Sequence, residues 1–299
     1  MKTLIGISTF GLPGFTKEAV KSLLETVKNQ FDVCIVVGKP DDAETRAYSE
    51  SNGFHTIVHG QNMGLPYCVN DIYEHAWINN DYDNVIIMGN DVVAYPYAVD
   101  SLIDTAREGK YEWICSTQYA VQDLIREFPD QAIYFSPPNL KFDAWGTDPW
   151  RHFKGYREER EINEIGLTDV QNLCLYTRGA FNKIGYTDAN FYPAYYIDND
   201  YARRGVNANV VACTLANSIY FHFWSRTIKQ GTGGSTSRQF SDNRNFYVTK
   251  WNGDFGSELW KVPFGGEPYQ LANGIQLEGT LNIQDRTNDA AIVNYWRSR

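Results

Sequence analysis

The sequence predicts an α/β protein whose first half is built from parallel βαβ units, followed by an irregular middle and a C-terminal extension. Three observations lead there. Up to about residue 116, apolar runs four to seven residues long alternate with amphipathic stretches of ten or more. That is the signature of strands joined by crossover helices. After Gln118 the alternation stops and prolines and aromatics crowd in. The tail from about Phe240 keeps Trp251, Trp260 and Trp296, apolar bulk that implies a folded extension.

Taken in order, Thr3–Thr9 reads as a buried strand and Thr16–Gln30 as a helix, with Ala19, Val20, Leu23, Leu24 and Val27 on one face. Asp32–Val37 is a second strand. Asp41–Asn52 is a polar helix that Gly53 is suited to stop. Phe54–Val58 is a third strand, Leu65–Trp77 a helix with Leu65, Val69, Ile72, Ala76 and Trp77 in a stripe, and Asn84–Met88 a fourth strand. Tyr97–Glu108 is a helix and Glu112–Ser116 a fifth strand. In such a sheet the ligand crevice lies at the carboxyl ends of the strands. Residues 118–165 are irregular, with Pro129, Pro137, Pro138 and Pro149, the kind of long segment that often carries function. Val170–Tyr176, Asn209–Cys213 and Ser218–Phe223 read as strands, and Gly179–Ile184 and Asn199–Arg204 as short helices. Gly231–Ser237 is a flexible loop. The expected organisation is a domain over residues 1–225 and a lid loop plus packed extension over 226–299.

Composition narrows the function. A net charge of −9 argues against a protein that coats nucleic acid, which needs a basic face. Cys34, Cys68, Cys115, Cys174 and Cys213 sit singly in apolar runs without a Cys-x-x-Cys spacing, so they read as buried reduced thiols of a cytoplasmic protein. The opening apolar run is too short for a signal peptide, and no stretch approaches the roughly 20 apolar residues that span a bilayer. The aromatic fraction of 15% suits core packing and also stacking on sugars or bases.

Several residues can carry chemistry. Asn90 and Asp91 follow the apolar end of the fourth strand and project into the expected crevice. A carboxylate there is a hard oxygen ligand for Mg²⁺ or Mn²⁺, although Gly-Asn-Asp is also ordinary turn chemistry. Asp198 and Asp200 flank Asn199 after the aromatic run Phe191–Tyr196. They suit a helix N-terminus, and the aromatics would help a carboxylate act as a base toward a hydroxyl. His222 lies among aromatics, either a core residue or an imidazole ligand better matched to Mn²⁺ than to Mg²⁺. The Gly231–Ser237 loop lacks the Gly-Lys-Ser/Thr ending of a P-loop. It suits either a linker or a lid over a diphosphate, with Arg226, Lys229 or Arg238 supplying charge. Arg151, His152, Lys154, Arg157 and Arg160 lie beside Trp145, Trp150 and Phe153, a basic–aromatic mixture that Glu158, Glu159 and Glu161 dilute. No Gly-x-Gly-x-x-Gly, Gly-x-Ser-x-Gly or His-Glu-x-x-His element occurs.

In this order, residues 3 to about 253 resemble the inverting glycosyltransferases of the GT-A fold, the large family with rhamnosyl- and bacterial polysaccharide transferases. The resemblance rests on Asn62-Met63-Gly64 with Asn70, on Gly89-Asn90-Asp91, on Ile197-Asp198-Asn199-Asp200 with Arg203 or Arg204, on His222, and on Lys250-Trp251-Asn252-Gly253. It implies a Rossmann-like nucleotide-binding half with a mixed central sheet. Ser8, Thr9, Phe10, Asn62, Gly64, Asn70 and Asn90 inherit donor contacts, Asp91 and His222 the metal, and Asp198 the base. Asp200, Arg203, Trp224, Arg226 and Lys229 become acceptor or lid candidates. Two departures stand out: Gly38-Lys39 replaces the usual acid after the second strand, for which Asp41 is a substitute, and Ile197 replaces the first Glu of Glu-Asp-x-Asp.

The resemblance implies a Mn²⁺- or Mg²⁺-dependent hexosyl- or pentosyltransferase that uses a nucleotide sugar, by default a UDP-sugar, and a saccharide or other hydroxyl acceptor. Two alternatives are a transferase acting on hydroxymethylated bases of DNA, as in viral DNA-modifying enzymes, and a non-catalytic nucleotide- or carbohydrate-binding module of the same fold.

Overall fold

Four strands, β1 (Thr3–Thr9), β2 (Asp32–Val37), β3 (His55–Val58) and β4 (Asn84–Gly89), pair in parallel in the order β3-β2-β1-β4. The computed structural model describes residues 1–120, 162–164, 172–223 and 236–299. Strand alternation sorts the apolar runs onto two faces. Leu4, Cys34, Val36, Val85 and Ile87 join one core cluster; Ile5, Ile7, Val33, Ile35, Val37, Ile86 and Met88 join the other. Burial on both faces is why these strands are continuous apolar runs.

The helices α1 (Pro13–Thr26) and α2 (Ala43–Ser51) fall near their expected places, with corrected ends. α1 begins three residues earlier than expected because Pro13 suits the first helical position. α2 is capped by Asp42, which accepts from the Thr45 N–H at 3.1 Å. α3 (Gly64–Tyr73) continues into a wider π turn, Glu74–Ile78. It seats closely on the sheet because Gly6 has no side chain: a Cβ there would lie 2.3 Å from Ile72 Cγ2.

Beyond β4 the sheet turns mixed. A short strand not expected from sequence, β5 (Val92–Ala94), precedes α4 (Ala98–Arg107). β6 runs over Trp113–Ala120, four residues past the expected end. β7 (Ile162–Glu164), β8 (Leu173–Thr177) and β9 (Ala212–His222) follow, with α5 (Arg178–Ile184) and α6 (Ile197–Asn207) between β8 and β9. The two strands expected over 209–223 are one, β9, whose register against β6 shifts at Ser116/Thr117. β8 is antiparallel to both β4 and β6, β9 is parallel to β6, and β5 and β7 are antiparallel to β9, completing a nine-stranded sheet.

The C-terminal part packs onto this body. Thr236 and Ser237, assigned to a loop from sequence, open α7 (Thr236–Trp251). A two-stranded hairpin, β10 (Tyr269–Gln270) with β11 (Gln276–Leu277), and α8 (Asp289–Arg297) follow. Phe246, Tyr247, Trp251, Phe264, Leu271, Ile292 and Val293 enter the cluster on the α3 face. Arg286 reaches Asp71 and Glu74, each at 2.6 Å. The five cysteines are buried thiols, none of them in a disulfide. Among the described residues no helix is long and apolar enough to cross a membrane.

Candidate active site at the carboxyl ends of β1 and β4

The chain builds β1, β2 and β3 outward on one side, then returns to place β4 on the other side of β1. Such a reversal opens a crevice at the carboxyl ends of the two strands that flank it. Ser8 pairs in register with Gly89, so the residues after each strand share this crevice. The buried Ser8 Oγ has no hydrogen-bond partner among the described residues. Thr9 bonds back into the sheet, its Oγ1 to the Val36 carbonyl at 3.2 Å, and Phe10 is half-buried beside Gly38. Asn90 is buried and holds the β1–α1 loop, its Nδ2 lying 3.4 Å from both the Gly11 carbonyl and Thr16 Oγ1.

Asp91 and His222 meet through backbone register. β5 pairs antiparallel with the end of β9, Val92 opposite His222, and the Phe223 N–H donates to the Asp91 carbonyl at 3.0 Å. This brings His222 Nε2 to 3.4 Å from Asp91 Oδ1, with the two side chains only 12% and 11% exposed. The opposite ring nitrogen, Nδ1, lies 3.0 Å from Gln118 Oε1. With Nδ1–H donated to that oxygen, the Nε2 lone pair faces a carboxylate oxygen. Two acceptors at that separation need a proton or a cation between them, and an oxygen and an imidazole nitrogen are a donor set that could hold a divalent ion. It is a pair only: among the described residues no three His, Cys, Asp or Glu converge as a metal cluster.

The second expected motif divides. Asp198 is half-exposed in the first turn of α6, and its Oδ1 accepts from the Asn199 N–H at 3.1 Å. Ile197 lies in the core cluster at 4% exposure, where a glutamate would be desolvated. Asp200 is fully buried among Arg204 Nε at 2.9 Å, Lys250 Nζ at 2.7 Å and Trp251 Nε1 at 3.0 Å, which removes it from acceptor contacts. Arg203 likewise turns inward, donating to the Trp260 carbonyl at 2.9 Å.

The β3–α3 corner abuts the chain entering α6. Asn62 Oδ1 accepts from the Gly64 N–H at 3.0 Å, and the Leu65 N–H donates to the Pro193 carbonyl at 2.6 Å. Gly64 has φ of +81°, and a Cβ there would lie 2.8 Å from Tyr192. Asn70, expected to touch the donor, is instead a fully buried tie: its Oδ1 accepts from the Thr187 N–H at 2.7 Å and its Nδ2 donates to the Thr187 carbonyl at 2.9 Å. Asp41 is exposed, 3.5 Å from Lys39 Nζ. Trp224, Arg226, Lys229, the side chain of Arg238 and the cluster of residues 145–161 lie outside the described residues. The sequence reading missed Gln118, Asn172 and Tyr220, which surround His222; the signal available was only the polar Gln118 at a strand end.

No family profile matches the chain, and no curated protein matches it in sequence. Solved structures match it in fold. S. aureus TarS 1–349 superposes with a TM-score of 0.53 at 11% identity, covering 84% of this chain and 72% of that one. The same fragment in complex with UDP gives 0.52 at 12% identity, covering 85% and 72%. A longer S. aureus TarS structure gives 0.52 at 12% identity, and 44% of its length is covered. What is shared at these identities is the fold, a mixed α/β sheet of the GT-A type.

Proposed function

We propose that this chain transfers a sugar from a nucleotide-diphosphate donor to an acceptor hydroxyl, with inversion, using a divalent cation held by Asp91 and His222. The observation that carries the reading is the approach of Asp91 Oδ1 and His222 Nε2 to 3.4 Å at the carboxyl ends of the switch-point strands. A carboxylate oxygen and an imidazole nitrogen at this separation are a donor pair that would hold a divalent cation. A carboxylate oxygen with an imidazole nitrogen favours Mn²⁺ over Mg²⁺. When bound, the cation neutralises charge developing on the leaving diphosphate.

The chain's own residues supply the rest. Ser8, Thr9, Phe10 and Asn90 border the donor crevice, with Asn62 and Gly64 at its α3 side and Asp41 a candidate for contact with the nucleobase of the donor. UDP-sugar is the favoured donor, on the strength of a shared fold with S. aureus TarS in complex with UDP. Asp198 takes the proton from the acceptor hydroxyl as that oxygen attacks the anomeric carbon from the face opposite the diphosphate. A saccharide is the favoured acceptor.

A melting-temperature panel of nucleotides and nucleotide sugars, with and without Mn²⁺, tests the donor reading, because a ligand that binds only the native state raises the midpoint. A Mn²⁺-dependent rise that His222→Gln abolishes is expected. No rise with any nucleotide sugar would favour a non-catalytic module or a different ligand. For the base, Asp198→Asn should melt normally yet lose transfer by at least about 100-fold; a variant with full activity refutes that role.

A further inference from the structure

Gln118 makes a contact set that neither the donor crevice nor the sheet requires. Its Oε1 lies 3.0 Å from His222 Nδ1, 3.2 Å from Tyr220 Oη and 3.4 Å from Asn172 Nδ2. Three groups able to donate therefore converge on one carboxamide atom. An amide can be assigned either way round; as placed, the Gln118 oxygen meets three groups that can all donate, whereas its NH₂ in that position would face the Asn172 NH₂. Asn172 Nδ2 lies 3.3 Å from the same Nδ1; with its proton turned to Gln118 Oε1, the acceptor at 3.0 Å takes the proton carried on Nδ1. The ring is then the tautomer whose Nε2 carries the lone pair, and Nε2 is the atom 3.4 Å from Asp91.

The backbone fixes this geometry. Gln118 and Tyr220 are register partners in the parallel β6–β9 pair, two residues from His222 on the same face. The Asn172 carbonyl accepts from the Gly89 N–H at 3.0 Å, which brings the start of β8 beside the turn that carries Asp91. The side chains around His222 thus come from β6, β9 and the residue that enters β8, and among the described residues the charged group in contact with its ring is Asp91.

We propose that Gln118 is a positioning residue: it holds His222 in the Nδ1–H tautomer and so aims the Nε2 lone pair at Asp91. The inference rests on the reading of Asp91 and His222 as a metal-holding pair for its consequence, but not for its test. A partner on the far nitrogen of a ligating histidine sets ring orientation and basicity. Its loss characteristically weakens metal affinity by about 10–100-fold.

The tautomer is read without metal or substrate from long-range ¹H–¹⁵N correlations of the imidazoles at pH 8. The chain has five histidines, and His222→Gln identifies the relevant ring by its missing signals. The wild-type ring should show a protonated Nδ1 and an unprotonated Nε2. Gln118→Leu should move the proton toward Nε2 and weaken Mn²⁺ binding, measured by electron paramagnetic resonance, by about 10–100-fold. Gln118→Glu keeps an acceptor at the same place and should restore both. A wild-type ring protonated at Nε2, as the other tautomer or as the imidazolium, overturns the proposal. So does Gln118→Leu with unchanged tautomer and affinity. Should that variant fail to fold, the wild-type spectrum and Gln118→Glu still decide. Failure of the metal reading looks different: wild type that binds no Mn²⁺, with or without UDP, while its ring remains the Nδ1–H tautomer and Gln118→Leu shifts it. That combination upholds the positioning role.

Discussion

Lys250→Met isolates the buried charge cluster that ties α7 to α6 and to the segment before it. Lys250 is 3% exposed, with Nζ 2.8 Å from Asp188 Oδ2 and 2.7 Å from Asp200 Oδ1. Methionine retains much of the stem's packing and removes the charge. Asp200 keeps Arg204 and Trp251, whereas Asp188 is left with two donors from Asn190, at 3.0 and 2.7 Å. Stranding a buried charge costs about 3–5 kcal/mol. The loss is capped by the alternative of protonating Asp188: for a carboxyl of ordinary pKa about 3.9 that costs about 4 kcal/mol at pH 7 and about 1.5 kcal/mol at pH 5. In the wild type, Lys250 and the Asn190 donors outweigh burial and hold the Asp188 pKa below its ordinary value. Its contribution is therefore full above the unfolded pKa and is lost only as pH falls through the lower folded one, so it is constant between pH 5 and 7. In the variant, burial dominates and the pKa rises, so the destabilisation shrinks as pH falls. Urea unfolding followed by circular dichroism should give a deficit of about 3–4 kcal/mol at pH 7 and about 1.5 kcal/mol at pH 5. Adding Asp188→Asn should recover most of the loss. A deficit under about 1 kcal/mol at pH 7, or one that grows on acidification, refutes the reasoning.

Two further outcomes follow from the packing. Gly6→Ala places a methyl 2.3 Å from Ile72 Cγ2, between β1 and α3, and should lower stability by about 1–3 kcal/mol in the same urea assay; an unchanged midpoint would mean α3 is not seated as described. Asp289 shares the Arg286 guanidinium with Asp71 and Glu74, and burial outweighs the arginine's pull, raising its pKa to about 6. A raised folded pKa means stability that is full below the ordinary value near 3.8 and lost as pH climbs through about 6. Relative to Asp289→Asn, the wild type should therefore lose about 2–3 kcal/mol between pH 4 and pH 7; parallel pH profiles for the two proteins would show that Asp289 is ionised throughout.

Much of the N-terminal half is legible in the sequence because parallel strands covered on both faces must be uninterrupted apolar runs, and Ile5, Val36 and Ile86 could hardly be anything else. Its helix ends are less so. Leu12 and Tyr97 precede α1 and α4 in the left-handed region at φ of +59° and +69°, a conformation for which non-glycine residues leave no mark. Asn70 shows a second limit. A carboxamide that bonds a peptide group across the core and one that bonds a ligand look alike in sequence, and here the peptide of Thr187 has it. Lys250 and Trp251 carried part of the resemblance, and the structure gives that pairing a physical reason: both meet Asp200, so three separated motif positions form one buried contact.

The site itself depends on pairing between residues far apart in the chain, which local pattern cannot carry. Asp91 reaches His222 because three residues, Val92–Ala94, pair antiparallel with the end of β9. A strand that short, directly after Gly89-Asn90-Asp91, reads as the rest of a turn. Gln118 belongs to the site because β6 runs on past Ser116, where its register against β9 shifts; read locally, the strand stops where the apolar run stops. The resemblance supplied Asp91 and His222 as separate residues in the correct order. What turns them into one chemical unit is the sheet: β5 sets their separation, and β6 and the residue that enters β8 bring the amides of Gln118 and Asn172 to the far side of the ring. Substitutions in those strands that preserve every motif residue but disturb register at Ser116/Thr117 should therefore damage the site as surely as replacing Asp91 or His222.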